Sequence, residues 1–196
     1  MHARFDLLLN QLWAMRTNSI GEEFMSGDNL IIDDSVFFAS IHIAAFSNQV
    51  LNTMLVKHSK VDGSVIFHKE YRHSMHSPCL ESKIGVLTMV RDSYKSLFIG
   101  NPTCLSAKIG SYVLKVSSLT GEFLRAKLFY FETLDFRTER MIVVDGEDNL
   151  HVMMGRWSYF VLVKLTNDMT VLSIRTKTRG TGISTSLGNQ INLFNG

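Results

Sequence analysis

The chain has 196 residues, of which 45% are hydrophobic and 19% charged. That is a globular composition, long enough for one sizeable core or two small ones, and it excludes a disordered chain. Lys and Arg number 20 against 18 Asp and Glu, so the net charge of +2 excludes a polyanion binder working by bulk charge and leaves room only for a local basic patch.

In chain order, the first apolar run is Leu7-Leu8-Leu9, ended by Asn10 and Gln11. A secretory core needs roughly 7–15 apolar residues, and a membrane helix roughly 18. Neither is present, so a cytoplasmic location is the default expectation and no membrane partner is expected. Residues 5–15 could form a helix with a stripe of Leu7, Leu8, Leu12 and Met15, the best helix candidate. The rest reads as strands. Val36-Phe37-Phe38-Ala39, Met54-Leu55-Val56, Val65-Ile66-Phe67, Tyr112-Val113-Leu114, Met141-Ile142-Val143-Val144 and Phe160-Val161-Leu162-Val163 are short and rich in β-branched and aromatic residues. Asp62-Gly63, Thr120-Gly121 and Asn167-Asp168 separate such runs as tight turns. The fold class expected is all-β.

These strands repeat. Lys57, Lys115 and Lys164 each end an apolar strand; a polar turn and a second strand follow, ending in Lys69, Lys127 and Arg175. A third strand precedes each pair, in Asp33-Asp34-Ser35-Val36-Phe37-Phe38-Ala39, in residues 92–100 and in residues 148–155. A fourth short strand comes before it, at residues 29–32, 84–90 and 141–144. Four antiparallel strands in roughly 50 residues is the arithmetic of a β-propeller blade. The units expected are blades at about 28–72, 83–130 and 138–178, with part-blades at 5–17 and 183–196, all in one domain.

The wording also resembles the β-propeller repeats of bacterial and archaeal surface and secreted proteins. Their blade runs Asp-Gly-Asn-Ile-Tyr-Val-Ala-Gly, then Phe-Leu-Val-Lys-Leu-Asp, then Gly-x-x-x-Trp-x-Lys. Asp148-Asn149-Leu150-His151-Val152-Met153-Met154-Gly155 with Phe160-Val161-Leu162-Val163-Lys164-Leu165 is the closest copy, and Leu12-Trp13-Ala14-Met15-Arg16 alone keeps the tryptophan. The N-terminal segment matches the last two strands of a blade, and residues 186–196 match the second strand. Two arrangements follow. The part-blades pair and close a four-bladed ring, hiding open strand edges. Otherwise the chain is a piece of a larger propeller, or one subunit of a ring made by a homodimer.

Several clusters carry a chemical reading beside a bland one. His68, His73, His76 and Cys79 are potential zinc ligands, but their spacing fits no standard finger, and a solvated loop is expected. Asp145-Gly146-Glu147-Asp148-Asn149 gathers oxygen ligands without the alternation of a calcium loop; a hairpin turn is expected there and at Asp33-Asp34. Arg16, Lys69, Lys127 and Arg175 recur at one position and could ring a propeller rim for an anionic partner, or guard strand edges. Residues 175–180 are too small a basic patch to argue nucleic acid. Cys79 and Cys104 are read as buried thiols, their pairing left open.

No nucleophile elbow, phosphate loop or zinc-protease motif is present. No catalytic residue, metal site or cofactor is therefore assigned. The function expected is a non-enzymatic binding scaffold that engages a protein or glycan through loops on one face. Such a scaffold predicts exposed aromatics on its loops. The alternative is a polysaccharide-active enzyme using carboxylates from Glu22-Glu23, Glu70 and Glu139, which predicts two of them roughly 5–10 Å apart.

Overall fold

The computed structural model describes residues 2–5, 11–15, 29–32, 36–45, 50–73, 88–105, 108–131, 139–155, 159–178, 183–184 and 191–195. Every regular element among them is a strand. β1 (His2–Phe5) and β2 (Gln11–Met15) form a two-stranded sheet. β3 (Asn29–Ile32), β4 (Val36–Ala45), β5 (Val50–Ser59) and β6 (Val65–His73) form the first large sheet, in chain order. The second large sheet contains β7 (Thr88–Arg91), β8 (Ser96–Leu105), β9 (Lys108–Ser117) and β10 (Phe123–Phe131). The third contains β11 (Glu139–Val144), β12 (Leu150–Gly155), β13 (Tyr159–Leu165) and β14 (Val171–Thr178). All neighbours are antiparallel.

The continuous apolar runs have a packing reason. Successive side chains of a strand point to opposite faces, so a run without alternation fits a strand covered on both sides. Phe98, Val113 and Phe129 pack on one face of the second sheet with Ile142, Leu150, Val152 and Val163 of the third. Leu97, Ile99, Leu114 and Val116 pack on its other face with Leu55 and Tyr71 of the first. The second sheet is therefore the middle layer of a three-sheet stack. The leading strands β3, β7 and β11 meet along one side of it, β7 touching both others. At Gly100, a Cβ would run into the Ile142 side chain, so glycine lets the second and third sheets approach.

The hairpins repeat more closely than their sequences. In β5–β6, β9–β10 and β13–β14 the pairing slips just beyond the repeated lysine, leaving Ile66, Leu124 and Leu172 as the extra bulge residues. β1–β2 slips at the same place, between Arg4 and Phe5, and its extra residue is Leu12. The turns close through a left-handed residue, Gly63 (φ 75°), Gly121 (φ 69°) or Met169 (φ 68°).

The ends differ from the expected mutual pairing. A short β15 (Ile183–Ser184) lies on β14, and β16 (Ile191–Asn195) lies on the outer edge of β10. Among the described residues, β1 and β2 pair only with each other. The outer strands of the second and third sheets have backbone groups to satisfy, and the C-terminal strands supply partners directly. The helix considered for residues 5–15 is replaced by the end of β1 and by β2, with residues 6–10 outside the described set.

Candidate functional site

Two of the three repeated lysines join neighbouring sheets. Lys57 of β5 donates through Nζ to the Ser118 carbonyl, in the β9–β10 turn of the next sheet, at 2.9 Å. Lys115 of β9 does the same to Asn167, in the β13–β14 turn, reaching its carbonyl at 2.8 Å and its Oδ1 at 2.5 Å. Ser118 and Asn167 occupy the same place, three residues beyond Lys115 and Lys164. Each lysine also lies over an aromatic ring, Lys57 5.7 Å from the Phe67 centroid and Lys115 5.3 Å from that of Phe98. Burial pushes the Lys115 ammonium below the usual lysine range, while Asp92 and Asp168 act in the opposite direction.

Further bonds line the same seams. Asn167 Nδ2 donates to Asp92 Oδ2 at 2.7 Å, so this asparagine is gripped by both Asp92 and Lys115. Ser93 donates its backbone N–H to Asp148 Oδ1 at 2.9 Å, and its hydroxyl bonds Asp148 Oδ2. Arg125 reaches the Asp168 carbonyl at 2.6 Å. Between the first and second sheets, the buried Tyr71 hydroxyl donates to the Gly121 carbonyl at 2.7 Å, and Thr53 Oγ1 meets Tyr112 Oη at 2.7 Å.

The third lysine is placed differently. Lys164 Nζ lies 3.1 Å from Asp145 Oδ2, within its own sheet, and His151 Nε2 lies 2.8 Å from the same oxygen. The hydrogen bond with His151 holds the Asp145 carboxyl well below the usual carboxylate range; backbone N–H groups of Asn149 and Glu147 and the Lys164 ammonium add to this. Asp145 Oδ1 accepts the Asn149 and Glu147 N–H groups at 2.9 and 3.0 Å, which makes it the organiser of the β11–β12 turn. Asp92 organises the β7–β8 turn likewise, accepting the Ser96 N–H at 2.6 Å.

The acidic cluster at 145–149 is thus a hairpin turn whose carboxylate oxygens bond its own backbone and neighbouring side chains. Of the histidine cluster, His68 is exposed on β6 with Nε2 3.9 Å from Glu70 Oε1, and His73 ends β6. His76 and Cys79 lie outside the described residues, as do Asp33-Asp34, Glu22-Glu23 and Arg16; Cys104 lies in β8 and Glu139 begins β11. Lys69, Lys127 and Arg175 do share one register, opposite Leu55, Val113 and Leu162. Their environments differ, because Lys69 and Arg175 are exposed and Lys127 is buried. A uniform charged rim is not what they make.

Large exposed apolar side chains gather at the hairpins. Val61, Val65 and Ile66 belong to the β5–β6 hairpin, Leu119, Phe123 and Leu124 to β9–β10, and Leu172 to β13–β14. The bulge residues Ile66, Leu124 and Leu172 are each about half exposed, at 49%, 49% and 52%. Of the aromatics expected on exposed loops, the described residues show Tyr94 of the β7–β8 turn; exposed Phe123 begins β10, and the remainder are aliphatic. Sequence reasoning named the first lysine series as a repeat mark without assigning it a role. Its constant place before a Ser or Thr turn was the available signal.

Comparison with protein-family models, with curated proteins and with solved structures returned no match.

Proposed function

We propose that the three stacked sheets are successive blades of a small β-propeller, and that the molecule is a non-enzymatic scaffold presenting its hairpin rim to a protein partner. The blade reading is supported by the same strand order in all three sheets, by the meeting of β3, β7 and β11, and by the latch that passes from the first sheet to a turn of the second and from the second to a turn of the third.

The binding reading rests on one observation. The same bulge recurs in register and each time turns an aliphatic side chain outward, as Ile66, Leu124 and Leu172. Bulges re-aim side chains, and clustered exposed apolar residues are the mark of an interaction surface. Aliphatic groups suit an apolar protein surface better than a glycan, whose sugar faces stack on aromatic rings.

The test is a comparison of the intact chain with an Ile66→Asp, Leu124→Asp, Leu172→Asp variant of unchanged circular dichroism. Proteins captured by the first and lost by the second support the scaffold. Capture that is indifferent to the three substitutions, or glycan-array binding that persists in the variant, overturns the assignment of this rim.

A further inference from the structure

We infer that the outward face of the third sheet, with Lys164 and Asp145 at its corner, receives the β1–β2 hairpin of the same chain. This rests on the stacked-blade reading above and extends it to a particular pair of surfaces.

Among the described residues, this face differs from its counterparts. Lys57, Lys115 and Lys164 hold one register position, opposite Phe38, Phe98 and His151. The first two lysines reach into the following sheet, whereas Lys164 folds onto Asp145. Asp92, the counterpart of Asp145, holds Asn167 of the following sheet; Asp145 instead holds His151 and Lys164. Phe98 and Val113 on the corresponding face of the second sheet are 0% and 1% exposed under the third sheet. Their counterparts His151 and Leu162 are only half-buried, as is Met153 between them, and Val143 is 45% exposed. The face thus carries the polar corner and the apolar patch that its predecessors use to hold a neighbour.

The occupant follows from register. A following sheet supplies a hairpin with a cation, a pairing slip immediately after it, and an apolar extra residue. One further hairpin among the described residues has these features. In β1–β2, Arg4 pairs with Trp13, the slip falls between Arg4 and Phe5, and Leu12 is the extra residue. The corner offers the Lys164 ammonium, the group that Lys57 and Lys115 use to hold the following sheet.

The experiment uses the full chain with a benzophenone-bearing residue at Gln11, the first residue of β2. A parallel chain carries it at Phe123, the first residue of β10, whose register position Gln11 shares. Isotope-labelled and unlabelled protein are mixed before irradiation. The Gln11 probe is expected to cross-link within one chain to the segment 143–164, with a several-fold lower yield in Lys164→Met. The Phe123 probe is expected to reach the first sheet. A Gln11 probe that misses the third sheet, or joins labelled to unlabelled chains only, overturns the inference while the Phe123 result keeps the stack. Failure of the Phe123 probe to reach the first sheet removes the blade reading itself.

Discussion

A single ammonium group does unequal work at equivalent places in this chain. Lys115 bonds both the carbonyl and the side-chain oxygen of Asn167, over the ring of Phe98, in a part-buried seam. Hydrogen bonds to charged groups contribute about 1.5–3 kcal/mol, and a lost partner leaves polar groups unsatisfied. Lys115→Met is therefore expected to lower the urea-unfolding free energy by about 2 kcal/mol. Lys69→Met, at an exposed position, should stay within about 0.5 kcal/mol of the parent. Asp145 makes a prediction in pH. Its folded-state pKa lies below the unfolded value, so the stabilisation it gives is full above the ordinary carboxylate range and is lost as pH falls through and below it. Asp145→Asn should be less stable than the parent at neutral pH, with the difference shrinking in acid. A constant difference across pH 2–7 in chemical denaturation would contradict the assignment.

At the scale of one hairpin, the β9–β10 turn shows why some glycines are fixed and others free. Gly121 has φ +69°, and a Cβ there would lie 2.7 Å from Lys69 Cγ and 2.8 Å from Phe67 Cε2. Gly146, in the β11–β12 turn, would meet nothing within 4 Å. Gly121→Ala should cost about 1–3 kcal/mol in thermal or urea unfolding, whereas Gly146→Ala should be nearly neutral. Thr120-Gly121 was legible as a turn in the sequence because only local chemistry is needed to recognise it. The strands around it were legible too: the runs at Tyr112-Val113-Leu114 and Phe160-Val161-Leu162-Val163 fall inside β9 and β13. The bulges were not, because a slip in pairing depends on the partner strand, and Leu124 looks like any other apolar strand residue. The latches were half legible. Lys57, Lys115 and Lys164 were visible as a period, but Lys57 and Lys115 reach backbone carbonyls, which carry no sequence mark, and nothing in the sequence sets Lys164 apart as the one that turns to Asp145.

The whole molecule inherits a division of labour from its stacking order. Leu97 and Phe98 are neighbours in β8, both fully buried, and they face opposite cores. That arrangement couples the first and third sheets through the second, although the sheets are separate hydrogen-bonded units. Repeat arrays with weak interfaces unfold in stages, but here each core is built from two sheets at once. Phe98→Ala removes a side chain that packs against the third sheet and underlies Lys115, and should cost about 3–5 kcal/mol. The loss should appear as one shifted transition, because opening that seam also strips β9, which supplies Leu114 and Val116 to the other core. Native-state hydrogen exchange tests the coupling directly. Amides of β8 and β9 should be the slowest, those of β5 and β13 should share their opening free energy, and Phe98→Ala should lower all four strands together. If β13 alone loses protection while β5 keeps it, the sheets open independently, and the second sheet is a spacer between two neighbours instead of the element that joins them.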